Sequence, residues 1–249
     1  MEESFARVET KYLLSAAQAA AMEAGLLRRG FRRSDFGSPR VQSLYYDTED
    51  FALIRASLER PEYKEKLRLR AYGEPGTLSA SFLEIKKKYR GVVYKRRTAL
   101  PLQEAMNCLD WGQMPEQTGQ VGREVRWMMH RYALLPAAVI SYDRDAWFSE
   151  KEPGVRITLD RNLSFRNWEL DMNSCATGIS LLPVDQRLME IKTNGVYPLW
   201  LTRLLTEKNA GRAHFSKYGL AYRQFIRHKK EGNERGGANC STVSLTRGA

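Results

Sequence analysis

Polar and hydrophobic residues alternate with a period of about two in several separate segments of the chain. This alternation is typical of β-strands, because successive side chains of a strand point to opposite faces of the sheet. The predicted strands are 7–13, 41–46, 64–72, 81–88, 92–100, 138–147, 155–165 and 187–193. Because they mostly follow one another as a meander, we expect an antiparallel sheet.

Helical periodicity is found before, between and after these strands. The predicted helices are 16–29, 50–56, 122–135, 197–208 and 217–230. The first follows Ser15, a suitable N-cap residue. The sequence therefore predicts an α+β fold, in which an eight-stranded antiparallel β-barrel or strongly curled sheet has helices packed outside. We expect one domain over residues 1–230 and a flexible C-terminal tail over 231–249, which is rich in Gly, Asn, Ser and Thr.

The charged residues of the predicted strands share one face. Lys66, Arg68 and Arg70 alternate with Leu67 and Leu69. The same arrangement holds for Glu84 with Lys86, Arg156 with Thr158 and Asp160, Glu190 with Lys192, and Glu9 with Lys11. A solvated face of a half-buried sheet would explain any single strand. The repeated enrichment in Arg and Lys instead favours a sheet that closes with this face inward, as a tunnel lined by cations.

Composition agrees with an anionic ligand but does not identify it. The chain has 249 residues, with 40 Lys and Arg against 29 Asp and Glu, and a formal net charge of +11. The 3 cysteines are widely spaced, which is typical of a protein from a reducing compartment. The sequence shows neither a signal-peptide pattern nor an apolar run long enough to span a membrane, so we expect a cytoplasmic location.

Phosphate is the anion that such a tunnel suits, because Arg and Lys donate charge-assisted hydrogen bonds to its oxygens. A carboxylate among these cations either pairs with its neighbours or holds Mg²⁺ or Mn²⁺, and the residues alone leave both alternatives open. Glu190 is the best metal candidate, followed by Glu9 and Glu84. The chain has no P-loop and no G-x-G-x-x-G motif. An obvious nucleophile is not required, since phosphoryl transfer depends mainly on positioning and charge neutralisation.

Nine short motifs between about residues 5 and 222 resemble, in order and spacing, the VTC domain, the polyphosphate polymerase branch of the triphosphate tunnel metalloenzymes. They are VETKY (8–12), SLYYDT (43–48), LRLRAYG (67–73), LEIKKK (83–88), YKRR (94–97), SYDRDAW (141–147), VRITLD (155–160), MEIK (189–192) and FSKYG (215–219). The resemblance implies an eight-stranded antiparallel tunnel that binds ATP or polyphosphate with a divalent metal, Mn²⁺ or Mg²⁺. It also implies transfer of the γ-phosphoryl group to a polyphosphate chain.

The matching motifs carry roles onto particular residues, all as implications of the resemblance. The implied catalytic cations are Arg68, Arg70, Arg144, Arg156 and Lys217. The implied phosphate-binding residues are Lys11, Lys86, Lys95, Arg97, Tyr142 and Ser216, with Lys95 and Arg97 sharing a face. Glu190 would hold the metal. The sequence departs from the wider superfamily at Arg7, which stands where E-x-E-x-K places a carboxylate, and this departure favours the polymerase branch over a two-metal triphosphatase.

Other functions remain open at this point. The protein could hydrolyse triphosphate or short polyphosphate, or it could be a non-catalytic polyphosphate or nucleotide sensor. A nucleic-acid-binding module using the +11 charge from outside ranks last, because the basic residues alternate along strands and do not form a helix stripe or an aromatic platform. The expected partners are thus ATP or another triphosphate and polyphosphate, and not nucleic acid. The sequence makes no prediction about oligomeric state.

Overall fold

A computed structural model describes residues 7–35, 39–76, 78 and 80–227. Its sheet has eight long strands: β1 (Arg7–Ser15), β3 (Arg40–Asp47), β4 (Tyr63–Tyr72), β5 (Ala80–Tyr89), β6 (Val92–Pro101), β7 (Leu135–Phe148), β8 (Val155–Arg166) and β10 (Gln186–Asn194). Two short strands, β2 (Arg32–Arg33) and β9 (Ile179–Ser180), pair with β7 and β8. The eight predicted strands are confirmed. The tail predicted at 231–249 lies outside the described residues.

The long strands follow the order β1-β10-β8-β7-β3-β4-β5-β6, and every neighbouring pair is antiparallel. Within the described residues β1 and β6 pair with one neighbour each, so they are the two edges of the sheet. The sheet nevertheless curls strongly. Lys11 on β1 lies close enough to Lys66 on β4 and Lys86 on β5 to add to the lowering of their pKa values, which burial mainly causes. The wall is therefore a curled, open form of the predicted tunnel.

Most helices pack on the convex side, as predicted. The α-helices of the described residues are α1 (Ala16–Arg28), α2 (Ala52–Leu58), α3 (Leu102–Trp111), α4 (Gly119–Tyr132), α5 (Leu199–Glu207) and α6 (Lys217–Ala221), and α6 continues as a π-helix over Tyr222–Ile226. Ser15 caps α1, since its hydroxyl accepts a hydrogen bond from the Gln18 amide at 3.1 Å. The sequence did not predict α3, whose apolar residues are diluted by Asn and Asp, which favour helices only weakly.

Two apolar clusters pack helices against the convex face of the sheet. One joins β4 and β5 to α3 and α4, through side chains such as Leu67, Ile85, Leu109 and Met128. The other joins β1, β8 and β10 to α1 and α5. Because one face of each strand is occupied in this way, the period of two directs the charged residues to the concave side.

Helix α6 departs from the prediction that helices lie outside, because it packs on the concave side. Tyr218 stacks on Tyr45 of β3 with ring centroids 4.7 Å apart. The Tyr218 hydroxyl donates a hydrogen bond of 3.0 Å to the buried carboxylate of Asp47. These contacts fix the start of α6 against the charged wall.

In the described part of the chain, none of the helices combines the length and hydrophobicity needed to cross a membrane.

Candidate functional site

The concave face collects the residues that the sequence singled out. The strands β4 to β6 contribute Arg68, Arg70, Lys86, Lys95 and Arg97, which the register places beside one another. The strands β1, β10, β8 and β7 contribute Lys11, Glu190, Arg156, Tyr142 and Arg144. Ser216 and Lys217 reach this surface from the start of α6. The structure thus brings the predicted residues onto one surface, where several of them form two groups around buried carboxylates.

The first group surrounds Glu84, whose side chain is 1% exposed. Arg68 donates a hydrogen bond to it through Nε at 2.7 Å, and its Nη2 lies 2.6 Å from the same carboxylate oxygen. Lys95 pairs with the other carboxylate oxygen, and Arg70 lies 3.9 Å away. Burial alone would raise the pKa of Glu84, but Arg68, Arg70 and Lys95 outweigh it and lower the pKa to about 2. Glu84 is therefore a permanent anion that holds three cations in place.

Hydroxyl groups accept hydrogen bonds from the guanidinium groups of Arg68 and Arg70 and so hold them in position. The Tyr45 hydroxyl accepts a hydrogen bond from Arg68 Nη1 at 3.1 Å. Arg70 donates to Ser43 at 3.1 Å and to the Tyr142 hydroxyl at 3.2 Å. Burial opposes ionisation of Tyr45, but the nearby positive charges of Arg68, Arg70 and Lys66 lower the pKa of its phenol to about 7.

The second group surrounds Asp160 and Glu190, whose side chains are 0% and 7% exposed. Arg144 donates to both Asp160 oxygens, at 2.6 Å and 2.7 Å, and lies 3.4 Å from Glu190. The Lys217 ammonium lies 2.6 Å from Asp160 and 3.1 Å from Glu190. Lys11 lies 3.5 Å from Glu190. Burial opposes ionisation of Glu190, but these three cations hold its pKa well below the ordinary value.

Other concave cations have no carboxylate within 4 Å among the described residues. They are Lys66, Lys86, Arg97 and Arg156. Burial lowers the pKa of Lys66 to about 8, and it also lowers that of Lys86. The Arg97 guanidinium lies 4.7 Å from the centre of the Phe82 ring. Cations that lie close together without counterions repel one another, so the surface favours an anion that touches several of them at once.

Ser216 plays a local role that its motif did not suggest. Its hydroxyl accepts a hydrogen bond from the Gly219 amide at 3.2 Å and so caps α6. This cap positions the adjacent Lys217. Burial opposes protonation of Lys217, but Asp160 and Glu190 raise its pKa above the ordinary value, so it remains an ammonium ion.

Both oxygens of the predicted metal ligand Glu190 are in ion pairs. Among the described residues, no three His, Cys, Asp or Glu side chains lie together so that they could hold a metal ion by themselves. Asp160 and Glu190 form a pair of carboxylates, since both contact the ammonium of Lys217. A hard divalent ion is commonly held by one or two carboxylates and completes its shell with substrate phosphates and water. The donor set therefore fits such an ion when phosphate supplies the remaining ligands.

Sequence reasoning left out several residues of the site. Asp160 shares a face with Arg156 in the alternation of its strand, but nothing in the sequence shows that it meets Glu190 from the next strand. Tyr45 and Ser43 are spaced by two in the SLYYDT segment, so their common face could have been predicted from the sequence. Arg7 begins β1, and its side chain is not among those that the structure describes.

The fold and the site together define the class of protein, a curled antiparallel sheet whose concave face is lined by Arg and Lys. Residues 6–226 match the family model of the VTC domain, and the chain therefore belongs to the VTC domain family. No curated protein sequence matches the chain.

Several solved structures are similar to this one at low identity. A candidate adenylate cyclase from Vibrio parahaemolyticus has 14% identity and a TM-score of 0.46, with 87% of this chain and 97% of that chain covered. A candidate adenylyl cyclase from Hippeastrum, described as having a dominant triphosphatase activity, has 16% identity and a TM-score of 0.49, with 88% and 95% covered. The PH1819 protein of Pyrococcus horikoshii has 15% identity and a TM-score of 0.43, with 90% and 99% covered.

Proposed function

We propose that this protein is a polyphosphate polymerase-type phosphotransferase that binds ATP or another triphosphate, together with polyphosphate, on the concave face. The observation that carries the proposal is the row of cations that face one another across the curled sheet, several of them without a carboxylate partner among the described residues. A linear chain of phosphates is the anion whose charge repeats along such a surface. The membership of the VTC family supports the same conclusion.

In the proposed reaction, a terminal oxygen of the polyphosphate chain attacks the γ-phosphorus of the triphosphate. The bond to the bridging β–γ oxygen breaks, and the nucleoside diphosphate leaves with the electron pair. The residues proposed to neutralise the phosphates are Arg68, Arg70, Arg144, Arg156 and Lys217. Those proposed to grip the chain are Lys11, Lys86, Lys95, Arg97 and Tyr142, while Ser216 orients Lys217. Such positioning and electrostatic stabilisation provide most of the catalysis in phosphoryl transfer.

A divalent ion, Mn²⁺ or Mg²⁺, is proposed to be held by Glu190 and to neutralise phosphate oxygens when bound. Lys217 serves as a permanent positive charge and not as a base, because its raised pKa keeps it protonated. The permanent anion Glu84 keeps Arg68 and Lys95 extended towards the concave space.

Binding of nucleic acid from outside is disfavoured by the convex face. Lys87 and Arg96, which are the basic residues of this face on β5 and β6, both pair with Glu124 of α4, at 2.6 Å and 3.2 Å. Lys87 also lies 3.6 Å from Glu65, so two carboxylates already compensate these two charges. We propose that the protein acts on triphosphate and polyphosphate in the cytoplasm.

The test is to incubate the purified protein with ATP and Mn²⁺, with and without a polyphosphate primer, and to separate the products by gel electrophoresis. Long-chain polyphosphate and ADP are the expected products. Arg156→Ala should lose the activity, whereas the matched control Arg126→Ala, on the exposed face of α4, should keep it. Release of orthophosphate without chain growth would show a triphosphatase instead. Tight binding of polyphosphate without any turnover would show a sensor.

A further inference from the structure

Lys217 bridges the two carboxylates that are best suited to hold a divalent ion. Its ammonium lies 2.6 Å from Asp160 Oδ2 and 3.1 Å from Glu190 Oε1. The two acids come from neighbouring strands, β8 and β10, and both are buried. A bridging position between two carboxylates is also where a divalent ion would bind, so ammonium and metal compete for the same oxygens.

The charges around this pair disfavour a metal ion that arrives alone. Lys217, Lys11, Arg144 and Lys192 together carry four positive charges against the three negative charges of Asp160, Glu190 and Glu9. A free divalent ion would enter a region that is already positive and would have to displace an ammonium from two short contacts. Because Asp160, Glu190 and Lys217 are buried, little solvent screens the repulsion.

A phosphate chain would change this balance, because it offers new anionic partners to the same cations. Lys217 has a flexible four-carbon stem, and its ammonium also lies 4.4 Å from the centre of the Tyr142 ring. It can therefore leave the carboxylates for a phosphate oxygen while keeping a favourable aromatic contact. The freed oxygens of Asp160 and Glu190 would then be available to an ion whose remaining ligands come from the phosphate.

We infer that Lys217 is an ammonium latch: it closes the Asp160–Glu190 pair to divalent ions until a phosphate chain binds, and Asp160 is the second carboxylate of the metal site. This inference rests on the proposed function, because phosphate is what opens the latch. Metal and phosphate then bind with positive cooperativity, and the metal alone binds only weakly.

The experiment measures Mn²⁺ binding to the protein through the enhancement of water-proton relaxation, with and without inorganic tripolyphosphate, and with Mn²⁺–tripolyphosphate lacking protein as the blank. For the wild-type protein we expect binding with tripolyphosphate and, without it, binding weaker by on the order of tenfold to a hundredfold. Lys217→Met should bind Mn²⁺ alone by about tenfold more tightly than the wild type, since one competing charge is gone. The control Lys217→Arg keeps the charge and should not gain this affinity.

Equal Mn²⁺ affinity of the wild type with and without tripolyphosphate would overturn the latch, and this measurement needs no variant. If Lys217→Met folds but gains no affinity for Mn²⁺, the latch is equally overturned. Asp160→Asn should lose Mn²⁺ binding in the presence of tripolyphosphate, and retained binding would exclude Asp160 as a ligand. Calorimetry with tripolyphosphate in the presence of EDTA tests the proposed function separately, because failure there means that the tunnel does not bind phosphate chains at all.

Discussion

The guanidinium of Arg68 lies 2.6 Å from the carboxylate of Glu84, and that carboxylate is almost completely removed from solvent. The same acid also pairs with Lys95. A single buried anion thus organises one wall of the concave surface. The consequence is that this wall is assembled before any ligand arrives, which reduces the reorganisation that binding requires.

Replacing Glu84 by Gln should destabilise the unliganded protein. The substitution keeps the shape of the side chain but leaves Arg68, Arg70 and Lys95 without their shared counterion, and breaking a buried pair costs roughly 3–5 kcal/mol. Thermal unfolding should show a lower Tm, and tripolyphosphate should raise the Tm of the variant more than that of the wild type. The control Glu62→Gln breaks an exposed pair with Arg90 and should change the Tm little. Equal Tm values for Glu84→Gln and wild type would mean that Glu84 does not hold the wall together.

Substitutions of Arg156 and Arg68 should differ in their effect on the stability of the protein, although both should weaken tripolyphosphate binding. Arg156 is exposed and has no ion pair among the described residues, so Arg156→Ala should weaken tripolyphosphate binding without lowering the Tm. Arg68→Ala removes a partner of both Glu84 and Tyr45 and should lower both the affinity and the Tm. Calorimetry and thermal unfolding on the same samples test this contrast. It would be refuted by an Arg156→Ala protein that unfolds as early as Arg68→Ala.

Tyr45 should ionise near neutral pH in the unliganded protein, because the surrounding cations lower its pKa to about 7 from the ordinary 10.0. The folded state then releases this proton at a lower pH than the unfolded state does. Its contribution to stability therefore grows between about pH 7 and pH 10 and is lost as the pH falls through about 7. An ultraviolet titration should show one tyrosinate forming near pH 7, and Tyr45→Phe should abolish it.

Binding of a phosphate chain should reverse this effect on Tyr45. The chain neutralises Arg68 and its neighbours, so the pKa of the phenol should rise when tripolyphosphate is added. The same absorbance titration, run with and without tripolyphosphate, measures the shift. An unchanged titration curve with saturating ligand would show that phosphate binds away from Tyr45.

Tyr218 should hold α6, and with it Lys217, against the concave wall. Tyr218→Phe keeps the stacking on Tyr45 but removes the hydrogen bond to Asp47, so the protein should lose about 1 kcal/mol of stability. Denaturant unfolding measures this loss. Tyr222→Phe is the matched control, since no hydrogen bond of its hydroxyl is found among the described residues and its ring packs in the same cluster. A larger loss for Tyr222→Phe would contradict the role given to the Asp47 contact.

Much of the fold could be predicted because it follows from local patterns. The period of two fixed the eight long strands and divided Lys66, Arg68 and Arg70 from Leu67 and Leu69, since a strand has only two faces. The capping residue Ser15 marked the start of α1. Helix α3 escaped prediction because Asn107 and Asp110 favour helices only weakly, and the helix depends on packing of Leu102 and Leu109 against the sheet more than on helix propensity.

The sequence by itself determined which side chains share a face, the positive charge of that face, and the resemblance to the VTC family, which the family model confirms. Only the tertiary structure decided which charges meet. The pairing of Asp160 with Lys217 joins β8 to α6, and the packing of α6 on the concave side depends on Tyr218 reaching both Tyr45 and Asp47. Such contacts join residues far apart in the chain, and strand order, register and curl set their distances. A periodic pattern restricts the register only to the alternatives that keep the same face buried, and it contains no distance between strands that are far apart in the chain.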